Sequence, residues 1–184
     1  MLHLCESLAQ KGFVVAAPDF AEALSGAVAT DVGRQEVMDA LVQRLREEFQ
    51  VERLGLVGHS AGAALAGRYQ PHGATVFGRV ALAGLAPGSQ DLLAVASTGD
   101  GVVRWERLRD LLEAMGMAPQ GPDALDASAP RAALLFAQPL KGSRPPCHIS
   151  FLAEQTNEAM ISLLSPLLPV AQILKARRFS ELRS

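Results

Sequence analysis

The sequence predicts an α/β fold: a mostly parallel sheet of about five strands, with helices on both faces. Two observations carry this. Short apolar runs alternate along the chain with stretches of helical periodicity, the order that builds parallel sheets through helical crossovers. Those runs are apolar throughout rather than at every second position, as expected of strands covered on both sides.

The elements follow in order. "LHLCESLAQKGF" sets Leu2, Cys5, Leu8 and Ala9 at helical spacing and stops at Gly12, and "FVVAAPDF" then reads as a short buried strand. From Asp31 to Phe49 a second helix is expected, with Val37, Leu41, Val42 and Leu45 as its apolar stripe. "RLGLVG" is the next strand and "SAGAALAGRY" the helix that leaves it. "GRVALAGLAP" and "DLLAVASTGDG" read as strands, "RWERLRDLLEAMG" as a helix and "RAALLFAQPL" as the last strand. Between these two, "GMAPQGPDALDASAP" is rich in Gly and Pro and is expected to be irregular. A final helical region runs from about 154 to 175, where Pro166 and Pro169 should break or kink it.

Composition bounds the function. At 184 residues and 49% hydrophobic, with mean hydropathy +0.17, the chain suits one domain with a sizeable core. Seventeen Lys and Arg against 19 Asp and Glu, with no long run of either sign, leave no electrostatic footprint for nucleic acid. The basic cluster "KARRF" reads as a solvated helix end. Cys5 and Cys147 cannot form a disulfide framework and lack metal-site spacing, so neither metal nor cofactor is implied. No apolar run reaches the roughly 18 residues that span a bilayer, and the N-terminus does not read as a signal peptide, which leaves the cytoplasm as the default compartment.

The chemistry is expected at Gly58-His59-Ser60-Ala61-Gly62, a G-x-S-x-G pattern set between a strand and a helix. In that setting the serine sits on a sharp turn with its hydroxyl above the carboxyl edge of the sheet. Gly58 and Gly62, with Ala61, Ala63 and Ala64, are expected to let strand and helix approach closely; alternatively, Ser60 caps the helix of a tight crossover. A serine nucleophile needs a base, and the base needs a carboxylate to hold its tautomer, in the chain order Ser, acid, His. His3 precedes the serine, His59 is the variable residue of the motif, and His72 follows too closely; His148, in "PLKGSRPPCHISFL" after the last strand, is the candidate base. Asp100, in a Gly-Asp-Gly turn at the end of an apolar strand, is the candidate acid ahead of Asp91, Glu106, Asp110, Asp123 and Asp126.

"LAQKGFVVAAPDF", "GLVGHSAGAALA", "LLAVASTGDGVV" and "HISFL" together resemble the α/β-hydrolases, in particular the branch of chlorophyllases, platelet-activating-factor acetylhydrolases and dienelactone-hydrolase-like esterases. The resemblance spans most of residues 1 to 165 and implies Ser60 as nucleophile, His148 as general base and then acid, and Asp100 as orienting carboxylate. It also implies the Ala61 backbone N–H as an oxyanion-hole donor, and a small-molecule ester with an apolar portion as substrate. Such enzymes place a second oxyanion donor after a strand that precedes the first helix, whereas this sequence opens with that helix. Residues 1–184 are therefore expected to form one N-terminally incomplete domain, a partial α/β-hydrolase fold. Loss of one donor costs roughly 2.7 to 4 kcal/mol, so low activity is expected. Two functions stand side by side: a serine esterase, and a catalytically weak or inactive hydrolase-like fragment or interaction module. For the esterase, Trp105, Met115 and Met117 are candidate pocket residues; core packing would explain them equally well.

Overall fold

A computed structural model of the chain describes residues 2–18, 20, 31–126, 129–137 and 148. The helical region expected from 154 to 175, Cys147 and the basic cluster near the C-terminus lie outside the described residues. The elements run α1 (Leu2–Ala9), α2 (Asp31–Phe49), β1 (Arg53–His59), α3 (Ala61–Arg68), β2 (Thr75–Leu82), β3 (Leu93–Ser97), α4 (Trp105–Ala114), β4 (Pro119–Gln120), a 3-10 turn (Pro122–Ala124) and β5 (Ala132–Phe136). The strands form one five-stranded sheet in the order β1-β2-β3-β5-β4. β3 pairs in parallel with β2 on one side, Ala81 opposite Ala94, and with β5 on the other, Val95 opposite Leu134. β4 adds to β5 in parallel through Pro119 and Gln120. Among the described residues no helix is long and apolar enough to cross a membrane.

The described residues divide into two compact units, with borders inside β1, at the end of α3 and inside β2. Of these residues, one unit holds those within 2–56 and 69–78, the other those within 57–68 and from 79 to 148. The second contains the main core, where Ala63 of α3, Ala81 of β2, Leu92, Ala94 of β3, Leu112 of α4, Met117 and Ala133 of β5 pack together. Alanine dominates because helices lie close on a sheet only where side chains are short. Leu112 is the largest of these fully buried side chains, and truncating such a leucine to alanine costs about 2–5 kcal/mol. Helix α4 ends in a defined C-terminal motif: Gly116 adopts φ +70°, its N–H meets Glu113 O at 3.0 Å, and Met117 N–H meets Leu112 O at 2.9 Å. Met117 thereby enters the core beside Leu112.

In the first unit Val42 is buried in the stripe of α2, with Val37, Leu41 and Leu45 half-buried around it. Tyr69 is buried and donates to Asp39 Oδ1 at 2.7 Å, which joins the chain after α3 to that helix. Burial and the neighbouring carboxylate together push the Tyr69 phenol well above its ordinary range.

Three expectations need correction. "FVVAAP" forms no strand: residues 13–18 are irregular, and Phe13 and Val14 are about half exposed. A strand is held by a ladder partner, and this run has none among the described residues; Phe13 instead stacks on Phe77, 6.5 Å between ring centroids. The fifth strand is β4, inside the segment expected to be irregular, where two residues suffice at the end of the sheet and proline is tolerated. The strands are not uniformly covered. β3 is buried almost throughout, whereas β1 alternates, with Leu54, Leu56 and Gly58 buried and Arg53, Gly55 and Val57 exposed. β1 stands at the end of the sheet order and keeps one open face.

Candidate active site

Every residue of the candidate site belongs to the unit that holds the main core. β1 ends at His59, α3 starts at Ala61, and Ser60 alone makes the turn, with φ +56°. A residue with a Cβ adopts such a backbone only where surrounding bonds impose it. Here Ser60 N–H donates to Leu82 O at 2.9 Å, and Ser60 O accepts from Ala63 N–H at 3.0 Å. The backbone is thus pinned to the end of β2 on one side and to the first turn of α3 on the other.

Small residues make room for this turn, but not all the expected ones. A Cβ on Gly58 would lie 2.0 Å from Gly62 O, a backbone collision that leaves glycine as the residue that fits. At Gly62 a Cβ would meet open space, so the second glycine of the motif is approached by its neighbour without itself needing to be small. The close contact on the other side comes from Gly84, where a Cβ would lie 2.4 Å from Ser60 O; the sequence reading missed it, since one glycine after a strand carries no distinguishing signal. Ala61, the first residue of α3, is exposed, and its N–H lies in the first turn, where helical N–H groups have no partner within the helix.

Asp100 follows β3 in a turn closed by its own N–H on Ser97 O at 3.2 Å. Beneath it Ser97, itself buried, accepts from Gly99 N–H at 3.1 Å and donates to Phe136 O at 3.3 Å, which fixes the turn against β5. The two carboxylate oxygens of Asp100 have separate tasks. Oδ1 accepts from Val102 N–H at 2.8 Å and Val103 N–H at 2.9 Å, and Oδ2 accepts from His148 Nδ1 at 2.7 Å. The Asp100 side chain is 1% exposed and that of His148 6%, so the pair is shielded from water, where such a contact counts for most. A carboxylate only accepts, so the bond sets the proton of His148 on Nδ1 and leaves Nε2 as the basic nitrogen.

The rival acids are placed otherwise. Asp91 pairs with Arg131, Glu106 with Arg104 and Asp110 with Arg109, all well exposed. Asp123 lies in the 3-10 turn, and the backbone N–H of Asp126 meets Gln120. His72 lines a polar cavity of about 520 Å³ in the other unit, with Asp39, Gln43, Arg46 and Glu47. Met117 is in the core, and Trp105 and Met115 pack against it, so these three are held by packing.

The structure therefore joins Asp100 to His148. Among the described residues no hydrogen bond joins Ser60 Oγ to the His148 ring. It also joins His148 to His59, a contact the sequence did not disclose: His59 Nε2 donates to the His148 carbonyl at 2.8 Å, with the two rings 4.8 Å apart. Burial lowers the His59 pKa below its ordinary 6.5; the bond to the His148 carbonyl opposes this, the His148 charge adds to it, and Asp100 opposes it.

With a serine on a left-handed turn between strand and helix, and a buried Asp–His pair after later strands, comparison with known families is decisive. The chain matches the alpha/beta hydrolase family over residues 2–182. It belongs to the alpha/beta hydrolase family. Comparison with curated proteins and with solved structures gives no match. As an alpha/beta hydrolase the chain has hydrolase chemistry of the general kind, directed at small-molecule substrates. The match is to the family at large and singles out no esterase branch.

Proposed function

We propose that this alpha/beta hydrolase is a serine esterase that cleaves carboxylic esters with an apolar portion through Ser60, His148 and Asp100. The observation that carries the reading is the buried 2.7 Å contact from His148 Nδ1 to Asp100 Oδ2, which leaves His148 Nε2 as a proton acceptor. Ser60 Oγ attacks the ester carbonyl while His148 Nε2 takes its proton, and Asp100 stabilises the imidazolium that forms. The oxyanion of the tetrahedral intermediate is met by the Ala61 N–H at the start of α3. Collapse expels the alcohol, which takes its proton from His148 and leaves the acyl group on Ser60. Water then attacks with His148 again as base, and the acid departs as Ser60 recovers its proton. The missing bond between Ser60 and His148 fits a free enzyme, in which such contacts are commonly long and tighten once substrate is in place.

The resemblance to esterases guides the choice of probe. Hydrolysis of p-nitrophenyl acetate and butyrate by the purified chain should be measurable and should vanish in Ser60→Ala. Equal turnover in the variant would refute the mechanism.

A further inference from the structure

His59 holds the position that the G-x-S-x-G pattern leaves open, yet its side chain contacts the site. Its Nε2 lies 2.8 Å from the main-chain oxygen of His148, and its ring is tilted 48° to that of His148 at 4.8 Å. A carbonyl oxygen only accepts, so His59 is the donor and carries its proton on Nε2.

We infer that His59 is a positioning residue that ties the backbone of the base to the elbow and so sets the separation of Ser60 Oγ from His148 Nε2. This rests on the function proposed above. The Asp100 contact holds the His148 ring at one nitrogen only, and a ring held at one atom still swings about it and follows any shift of its own backbone. The bond from His59 supplies the second anchor, at the His148 carbonyl. Its other end is a rigid frame, because His59 is the last residue of β1 and precedes Ser60, whose N–H is bonded to Leu82 O. Nucleophile and base are thereby referenced to the same two backbone residues. Burial disfavours a charge on the His59 ring, the His148 charge adds to this and Asp100 opposes it. A second cation 4.8 Å from His148 would oppose the imidazolium that catalysis requires.

Three variants test this beside the unaltered chain. His59→Phe keeps a ring and deletes the donor, His59→Gln restores an N–H near the former Nε2, and Ser60→Ala controls for the chemistry. With p-nitrophenyl butyrate, His59→Phe should lower kcat by about ten- to a hundredfold at nearly constant KM, the scale of a misplaced catalytic group, and His59→Gln should recover most of it. Proton NMR supplies a readout independent of turnover: the downfield Nδ1 proton of His148 should exchange faster in His59→Phe than in the unaltered chain, and be restored in His59→Gln. Thermal melts establish that the variants are folded. Wild-type kcat and an unchanged Nδ1 resonance in His59→Phe would overturn the inference, as would equal damage in both variants. Should Ser60→Ala retain activity, the esterase reading fails instead, and the NMR comparison still decides whether His59 holds His148.

Discussion

Replacing Asp100 by Asn tests the site through a change of one oxygen to an NH2 group. The outcome follows from the two bonds already made to Oδ1. Val102 N–H and Val103 N–H, at 2.8 and 2.9 Å, both require an acceptor, so the amide oxygen of the asparagine must stay with them. Its NH2 then takes the place of Oδ2, 2.7 Å from His148 Nδ1. Two donors cannot face each other there, so His148 moves its proton to Nε2 and presents Nδ1 as the acceptor. In that tautomer Nε2 cannot take the proton of Ser60. The expected loss in kcat is about 10⁴-fold, the scale of the same change in a well-studied protease triad. Folding suffers far less: two hydrogen bonds to a charged acceptor become bonds to a neutral one, a cost of about 1–3 kcal/mol. For a chain of this length that lowers Tm by roughly 2–4 °C per kcal/mol. The assay is p-nitrophenyl butyrate hydrolysis at fixed pH, paired with a thermal melt. A folded Asp100→Asn chain with wild-type kcat would refute the reasoning, since it would show that the His148 tautomer is irrelevant to turnover.

The remaining predictions concern the elbow and its histidine. Gly58→Ala drives a Cβ into Gly62 O and should destabilise the chain by about 1–3 kcal/mol or more, whereas Gly62→Ala places its Cβ in open space at the start of α3 and should be neutral or stabilising by about 0.4–1 kcal/mol. Urea melts of the two variants check this, and the reverse order would show that the turn is not packed as described. His59 also makes stability depend on pH. Its folded pKa lies below the unfolded value of 6.5, chiefly through burial, so the unfolded chain binds more protons between the two values and stability rises with pH across that interval. The resulting penalty is absent well above pH 6.5 and grows as pH falls toward the folded pKa; His59→Gln should flatten this part of a stability–pH curve, and an unchanged slope would contradict the burial of His59.

Much of the site was legible in the sequence because each part has a local signature. A strand running into Gly-His-Ser-Ala-Gly and then a helix marks the elbow, and the observed φ of +56° at Ser60 matches it. Chain order singled out His148, and the turn at the end of an apolar strand singled out Asp100; the two side chains meet. Helix α2 was legible to the residue, because its apolar stripe is bounded by polar positions. What was not legible depends on partners distant in sequence. "FVVAAP" has the composition of a strand, but composition cannot supply the neighbour that a strand needs, and Phe13 packs on Phe77 instead. Proline in Pro119–Gln120 argues locally for a loop, and only the register with Ala133 and Leu134 makes it a strand. Met115 and Met117 read equally as pocket or core until the turn at Gly116 carries Met117 inward. The His59 bond could not be anticipated, because its acceptor is a backbone carbonyl 89 residues away and any residue has one.

Covalent labelling of the folded chain by a fluorophosphonate, with the modified peptide located by mass spectrometry, tests the central claim most directly. The probe reacts with a serine only when a base within reach takes the hydroxyl proton. The account predicts a single label on Ser60, lost in Ser60→Ala and strongly slowed in His148→Gln. A chain that is folded yet unlabelled at Ser60, or labelled there just as fast without the His148 imidazole, would contradict it.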